Sequence, residues 1–404
     1  MQTSDSDCLI AGGGPAGMML GVLLARQGVS VTVLEKHADF LRDFRGDTVH
    51  PSTLEILDQI GLLPEFEKLP HNKVRRLGVH IGGWFQEVVD FSGLKPFDYV
   101  AFVPQWDFLD LLADYGKRFE NFDLGMNHKA LELIIENGKC LGVRAEGPDG
   151  EIEFRARVSV ACDGRYSVLR EQAGLKVEEC GAPMDVLWFR VPRSEDHPDE
   201  TFGIIGAGHM MVLLNRGDYW QAAYIVPKGS DLDLRKTPIE DFRRTVENVA
   251  AFLDDETGIP ASWDDVKTLE VRVDRLEKWH SSGFLVIGDA AHAMSPVGGV
   301  GINLAIQDAV AAANKLGPAL LENGEVPEEV LAFVQARRIL PTKIVQWFQL
   351  QAQKRVISAA LSSREEPPDL PGLLRFLLRF RFVRNIPARF IGYGIRREHV
   401  SGER

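Results

Sequence analysis

The stretch DCLIAGGGPAGMMLGVLLARQGVSVTVLEKH, residues 7–37, is compatible with few folds. Gly12, Gly14 and Gly17 stand at G-x-G-x-x-G spacing directly after the apolar run 8–11. A helical pattern follows to about Gly28, and residues 29–34 have the unbroken apolar character of a strand buried on both faces. Gly12 allows the tight turn, Gly14 lets backbone approach a pyrophosphate, and Gly17 permits close packing of helix on strand. Pro15 and Ala16 open the helix, whose free N–H groups and positive dipole end suit phosphate. Glu35 ends the second strand, where a carboxylate can accept both hydroxyls of an adenosine ribose, with Lys36 beside it. In a chain with 38 glycines the spacing alone is a weak signal. The complete strand, turn, helix, strand and acid together favour a dinucleotide over a structural glycine turn. An acid rather than an arginine at Glu35 disfavours a 2′-phosphate and leaves FAD or NAD, between which this unit does not choose.

At 404 residues the chain can bury a large core divided between two subdomains. A net charge of −12 disfavours general nucleic-acid binding, which needs a basic surface to displace counterions. Cys8, Cys140, Cys162 and Cys180 are scattered and form no CxxC pair, so no metal site, disulfide framework or dithiol centre is expected. The first ten residues lack a basic, apolar leader, and no apolar run approaches a membrane span. A cytoplasmic location is therefore expected.

Strand and helix patterns alternate from the start. Residues 52–60 form a helical pattern with Ser52 or Thr53 available as cap, and 75–102 are strand-rich. QWDFLDLLADYGKRF has apolar residues at helical spacing. Residues 130–164 alternate like an antiparallel meander, with turns at Asn137-Gly138 and Asp149-Gly150. A second strand-rich stretch runs from 184 to about 226, a helical one follows, and the chain beyond 301 is almost wholly helical. The expected organisation is a nucleotide-binding part (1–74, 103–183 and 275–340), a β-rich part (75–102 and 184–274) and a C-terminal helical segment (341–404).

Two later motifs share one design. RVSVACDGRYSVLREQAGL puts Asp163-Gly164 at the end of an apolar strand, followed by Ser167 and Arg170. GFLVIGDAAHAMSPVGGVGINLAIQDA puts Gly288-Asp289 at the end of another, then a Pro/Gly loop, then a helix. A strand ending in a carboxylate at a glycine turn is where α/β sheets bind ligands. Gly298, Gly299 and Gly301 let backbone lie against a planar ring, Pro296 stiffens the loop, and the helix beginning near Ile302 and Asn303 points its positive end toward that ring. His292 reads as a structural residue in an Ala-rich turn.

In this order and separation the three motifs resemble the group A flavoprotein monooxygenases, the p-hydroxybenzoate hydroxylase-like family. The resemblance covers nearly the whole chain. It implies an α/β fold with a Rossmann-like, glutathione-reductase-like FAD-binding domain interleaved with a β-sheet-rich substrate domain, plus C-terminal helices. It further implies that Asp289 bonds the ribityl chain of FAD, that the motif around Asp163 serves flavin and nicotinamide, and that Arg45 and Gln105 contact the flavin. For Asp163 the competing reading is a carboxylate capping its own turn. In such enzymes NADH or NADPH, bound transiently, reduces FAD; O2 then adds to the flavin, and the C4a-hydroperoxide hydroxylates or epoxidises a hydrophobic, aromatic small molecule.

The rivals are a prenyl-lipid reductase, a flavin-dependent halogenase (whose W-x-W-x-I-P motif is missing) and a non-enzymatic prenyl-binding escort protein. No catalytic residue is assigned; His50 and His209 are the histidines considered as a base. The basic, aromatic segment LLRFLLRFRFVRNIPARFIGYGIRR is expected to pack on its own protein, with Pro387 interrupting any long membrane-surface helix; peripheral membrane contact is the alternative. Monomer and homodimer are equally compatible with the sequence.

Overall fold

The computed structural model describes residues 2–41, 48–81, 84–253, 260–322, 324–357, 361 and 372–401. The strand Gln2–Ala11 runs through the middle of an eight-stranded sheet. It pairs in parallel with Val31–Glu35 on one side and Gly150–Ala161 on the other, and Phe122–Met126 and Phe284–Val286 continue the parallel order outward. Lys129–Glu136 and Lys139–Gly147 join as an antiparallel pair. Their turn uses Asn137 and Gly138 at φ 52° and 78°, the left-handed pair that a two-residue hairpin demands.

Alternation along the central strand divides the core. Cys8 and Ile10 face the helices Pro15–Arg26 and Gly301–Leu321, while Leu9 and Ala11 face Leu169, Trp279 and the antiparallel strands. The first helix lies between sheet and neighbouring helices, which is why residues 16–25 are buried without a polar face. Each fully buried Leu or Met there contributes roughly 1.5–3 kcal/mol through lost apolar exposure.

A second, seven-stranded sheet joins Arg76–Ile81 and Trp84–Asp90 to four strands between Met184 and Pro227, with Lys267–Leu269 at its edge. One face, with Leu187, Phe189, Met211, Leu213 and Trp220, is covered by Phe242 and Val246 of the helix Ile239–Val249. The opposite face, with Val186, Met210, Val212, Ala223 and Ile225, meets Val297 of the glycine loop. Period-two alternation thus gives this sheet one face turned toward the glycine loop and one turned away.

Two local expectations change. The helix near residue 52 spans Pro51–Gln59 with His50 as its N-cap and no side-chain cap, so Ser52 and Thr53 lie inside it. The proline at its first position already removes one of the donors a cap would serve. Pro387 does not end its helix, which runs from Arg381 through to Tyr393. That helix turns Phe390 and Ile391 onto Met294 and Val300, so the C-terminal segment packs on its own protein.

Candidate cofactor and active site

The first turn is closed by backbone alone. Gly12 has φ 110°, its N–H donates to the Leu34 carbonyl at 2.8 Å, and the Cys162 N–H donates to the Ala11 carbonyl at 2.7 Å. Three strand ends meet at this point. A Cβ on Gly12 would lie 2.4 Å from the Cys162 carbonyl oxygen, and one on Gly17 only 2.0 Å from the Gly12 oxygen. Gly14 differs, because a Cβ there would meet nothing within 4 Å. It is the N-cap of the helix Pro15–Arg26, with no side-chain cap and no acid in the first turn. The helix start, with Pro15 and Ala16, therefore offers uncapped N–H groups to open space, the environment an anion needs.

Glu35 is buried beside the turn. Its two oxygens accept the N–H groups of Gly13 and His37, both at 3.1 Å, which fixes the carboxylate. Lys36 is exposed.

Asp163 follows the strand Gly150–Ala161. Burial raises its pKa, partly opposed by hydrogen bonds from Ser167 and nearby backbone. Its Oδ1 is nevertheless buried with no partner among the described residues. Ser167 accepts the Arg170 N–H at 3.1 Å, and the buried Arg170 guanidinium donates to the carbonyls of Ala290 at 2.8 Å and Arg165 at 2.7 Å. Arg165 also reaches Asp289 Oδ2 at 3.4 Å. The second and third motifs, over a hundred positions apart in sequence, are thereby joined.

In the third motif, Gly298 and Gly299 have φ 80° and 62°. A Cβ on Gly299 would stand 2.6 Å from Thr48 Oγ1, which donates to the Gly299 carbonyl at 2.9 Å. Pro296 precedes this turn, and the helix Gly301–Leu321 begins without a side-chain cap, its first turn carrying half-buried Ile302. Asn303 is committed elsewhere. Its Oδ1 accepts the His50 N–H at 2.9 Å and the Thr53 hydroxyl at 2.7 Å, which leaves only its backbone for a ligand. Gln105 begins the helix Gln105–Gly116, half-buried and without a hydrogen-bond partner among the described residues. It follows the strand Val100–Phe102, whose Phe102 pairs with Thr48 beside the glycine loop. Arg45 lies outside the described residues.

The histidines are not placed as bases. Burial lowers His50 to about 4, and its Nδ1–H donates to the Ile391 carbonyl at 2.8 Å. His209 and the Tyr224 hydroxyl are 2.5 Å apart; burial lowers the histidine and pushes the tyrosine up to about 12. Tyr224 packs in the core around Phe242, so the pair occupies the sheet face turned away from the glycine loop. His50 instead makes a stability prediction. Between its ordinary 6.5 and about 4 the unfolded chain takes up a proton that the folded one refuses. Stability should fall across that window as pH drops, by up to about 3 kcal/mol from this group. Urea unfolding midpoints at pH 7 and pH 5 should therefore converge in His50→Gln relative to the parent; parallel losses would remove His50 as the cause.

One cluster escaped the sequence reading. Asp308 is completely buried; its Oδ1 accepts Arg338 Nε at 2.9 Å, and its Oδ2 accepts the Gly288 N–H at 3.2 Å and faces His292 Nε2. Arg338 also contacts Glu398 at 3.2 Å and the Arg396 carbonyl at 3.0 Å. Burial alone would raise Asp308, but His292 and Arg338 outweigh it and the net shift is downward. An acid inside the run NLAIQDAVAAA was the available signal, since a charge on an otherwise apolar helix is seldom buried unpaired. His292 is thus structural, as its turn suggested.

The arrangement suits an extended dinucleotide. One uncapped helix start and a fixed carboxylate lie at one end, an orphaned carboxylate oxygen lies along the way, and a glycine loop with a second uncapped helix start closes the other. The FAD binding domain family matches residues 5–347. The chain is 29% identical over 403 residues to 6-methylpretetramide 4-monooxygenase of Streptomyces rimosus, covering 96% of this chain and 92% of that one. It is 30% identical over 353 residues to 12-dehydrotetracycline 5-monooxygenase/anhydrotetracycline 6-monooxygenase of Streptomyces rimosus, covering 82% of this chain and 66% of that one. In fold it is similar to the anhydrotetracycline hydroxylase OxyS from Streptomyces rimosus, at TM-score 0.77 and 24% identity, over 99% of this chain and 78% of that one. By family match and architecture together, the chain belongs to the group A FAD-dependent monooxygenases, the aromatic-ring hydroxylase-like family.

Proposed function

We propose that this monooxygenase uses NADH or NADPH and O2 to hydroxylate a polycyclic aromatic small molecule, releasing NAD(P)+ and water with the hydroxylated product. FAD, when bound, supplies both the acceptance of hydride and the activation of oxygen. The residues supply the rest. N–H groups at the start of the helix Pro15–Arg26 bind the pyrophosphate, and Glu35 takes the adenosine ribose hydroxyls. Asp289 and Asp163 would hold the middle of the cofactor, and Gln105 with backbone from Gly299 to Asn303 would hold its ring system. The uncapped helix start there stabilises negative charge on the ring by about 1 kcal/mol.

The observation that carries the substrate class is the wall opposite the glycine loop. Val186, Met210, Val212, Ala223 and Ile225 form an apolar surface against Val297. Trp188 belongs to the same cluster, and its Nε1 is buried without a hydrogen-bond partner among the described residues. An apolar sheet face beside the glycine loop, carrying one indole N–H, suits an aromatic molecule bearing an oxygen acceptor. The relatives named for pretetramide and tetracycline substrates support the same size class. An apolar wall also excludes water, which keeps reduced flavin and oxygen from wasting turnover.

The deciding experiment supplies FAD-loaded protein with NADH or NADPH, ¹⁸O2 and a panel of polycyclic phenols and naphthacene-type polyketides. One label should enter product, and a true substrate should raise NAD(P)H consumption by about tenfold or more while lowering the peroxide formed per turnover. Product formed without oxygen, or lacking the label, would refute the proposal.

A further inference from the structure

We infer that the outer face of the C-terminal helices is a docking surface for an anionic phospholipid bilayer. Its side chains are apolar where they should be hidden. Phe382 and Ile386 of the helix Arg381–Tyr393 are 67% and 66% exposed, and Trp347 of the helix Glu328–Ala352 is 61% exposed. Phe376, Phe380 and Phe348 are exposed as well. Three of these rings are joined: Phe376 and Phe380 lie 5.4 Å apart and Phe380 and Phe382 5.8 Å. Singly exposed apolar residues need no explanation, but a joined aromatic patch does.

Charge decides what covers it. Residues 372–397 contain seven arginines and no acid, in a chain whose net charge is −12. Arg381, Arg384 and Arg397 are paired with Asp90, Glu87 and Glu55. Arg379, Arg389 and Arg396 are exposed and have no carboxylate partner among the described residues. Arg389 stands three residues after Ile386, on the same outward stripe, and with Lys95, Arg397 and Tyr393 it lines a surface pocket of about 350 Å³. A two-fold copy of the chain docking through this face would set these arginines against themselves. A bilayer rich in anionic lipid instead takes Phe382, Ile386 and Trp347 into its interfacial layer and presents phosphates to Arg379, Arg389 and the basic pocket. No helix among the described residues is long and apolar enough to cross a membrane, so the contact is a surface one.

Position gives the contact a use. The inner face of the same helix holds Phe390 and Ile391 on Met294 and Val300, and Ile391 lies against Gly298. The membrane-facing helix is therefore the one packed over the glycine loop, and a nonpolar molecule dissolved in the bilayer is delivered close to that loop.

The test is co-sedimentation of the FAD-loaded full chain with vesicles of equal parts phosphatidylcholine and phosphatidylglycerol, against phosphatidylcholine alone. Binding should be at least about tenfold stronger to the anionic vesicles and should weaken in high salt. The exposed double variant Phe382→Glu/Ile386→Glu should lose about tenfold in binding while keeping the parent's thermal midpoint and flavin content. Trp347 should be quenched by brominated lipid, the Trp347→Phe variant giving the background. Equal binding to both vesicle types, no binding, or undiminished binding by the double variant would overturn the inference. So would a concentration-dependent dimer that the double variant abolishes, which would assign the face to a second copy.

Discussion

Gly14→Ala should yield a protein that folds like the parent, with an unchanged thermal midpoint, yet binds FAD at least about tenfold more weakly. Gly14 sits at φ −74° and ψ −177°, extended backbone that alanine adopts freely, and its added Cβ meets no protein atom within 4 Å. The methyl can only obstruct what approaches the helix start from outside. Gly12→Ala should behave differently. Its backbone is in the left-handed region at φ 110°, and its Cβ would lie 2.4 Å from the Cys162 oxygen and 2.8 Å from the Asp163 nitrogen. Both neighbours are backbone and cannot swing aside, so the strand ends must separate, at a cost of about 2–4 kcal/mol. That variant should lose both stability and flavin. Fluorescence titration with FAD and thermal unfolding of the two apoproteins separate the effects. A Gly14→Ala protein that holds FAD as tightly as the parent would place the pyrophosphate somewhere else.

Asp308→Ala should destabilise the chain by about 3 kcal/mol, because it takes the carboxylate from Arg338 Nε and from His292 in a site where Arg338 is only 1% exposed and keeps only Glu398 and the Arg396 carbonyl. The same change removes the acceptor for the Gly288 N–H, so flavin affinity should fall with stability. The control is Asp308→Leu combined with Arg338→Met, which removes both charges and fills the volume. It should recover most of the loss, because a buried ion pair is expensive to break and far less so to replace whole. Chemical denaturation of the parent, Asp308→Leu, Arg338→Met and the double variant supplies the cycle. Additive losses would mean that the pair is not coupled. The ionised Asp308 also stabilises in a defined direction of pH. Its folded pKa lies below the ordinary 3.8, so its contribution is complete above that value and disappears as acid protonates the folded site.

What could be read from the sequence was whatever depends on neighbours along the chain. The turn at Gly12, the helix behind it, the buried strand ending at Glu35 and the hairpin at Asn137-Gly138 are all set by local backbone freedom and apolar period. The three glycine-carboxylate motifs were legible for the same reason, since each is a strand end followed by a turn. Their likeness in design also implied one ligand.

Contacts between distant segments could not be read that way. Whether His209 faces the glycine loop or the helix Ile239–Val249 depends on the register of its strand in the sheet, and a slip of one residue reverses the answer. The closing of the Asn303 side chain on Thr53 and His50, some 250 positions earlier in the chain, is one such contact. His50 looked titratable until burial withheld its proton. The burial of Asp308 with Arg338 exists only because two helices cross there. Sequence by itself determined the turns, the periods and the kind of ligand they accommodate, because those follow from φ, ψ and side-chain spacing. Tertiary structure alone decided which polar groups remain available to that ligand, because availability depends on which distant partners and how much water each group retains after folding.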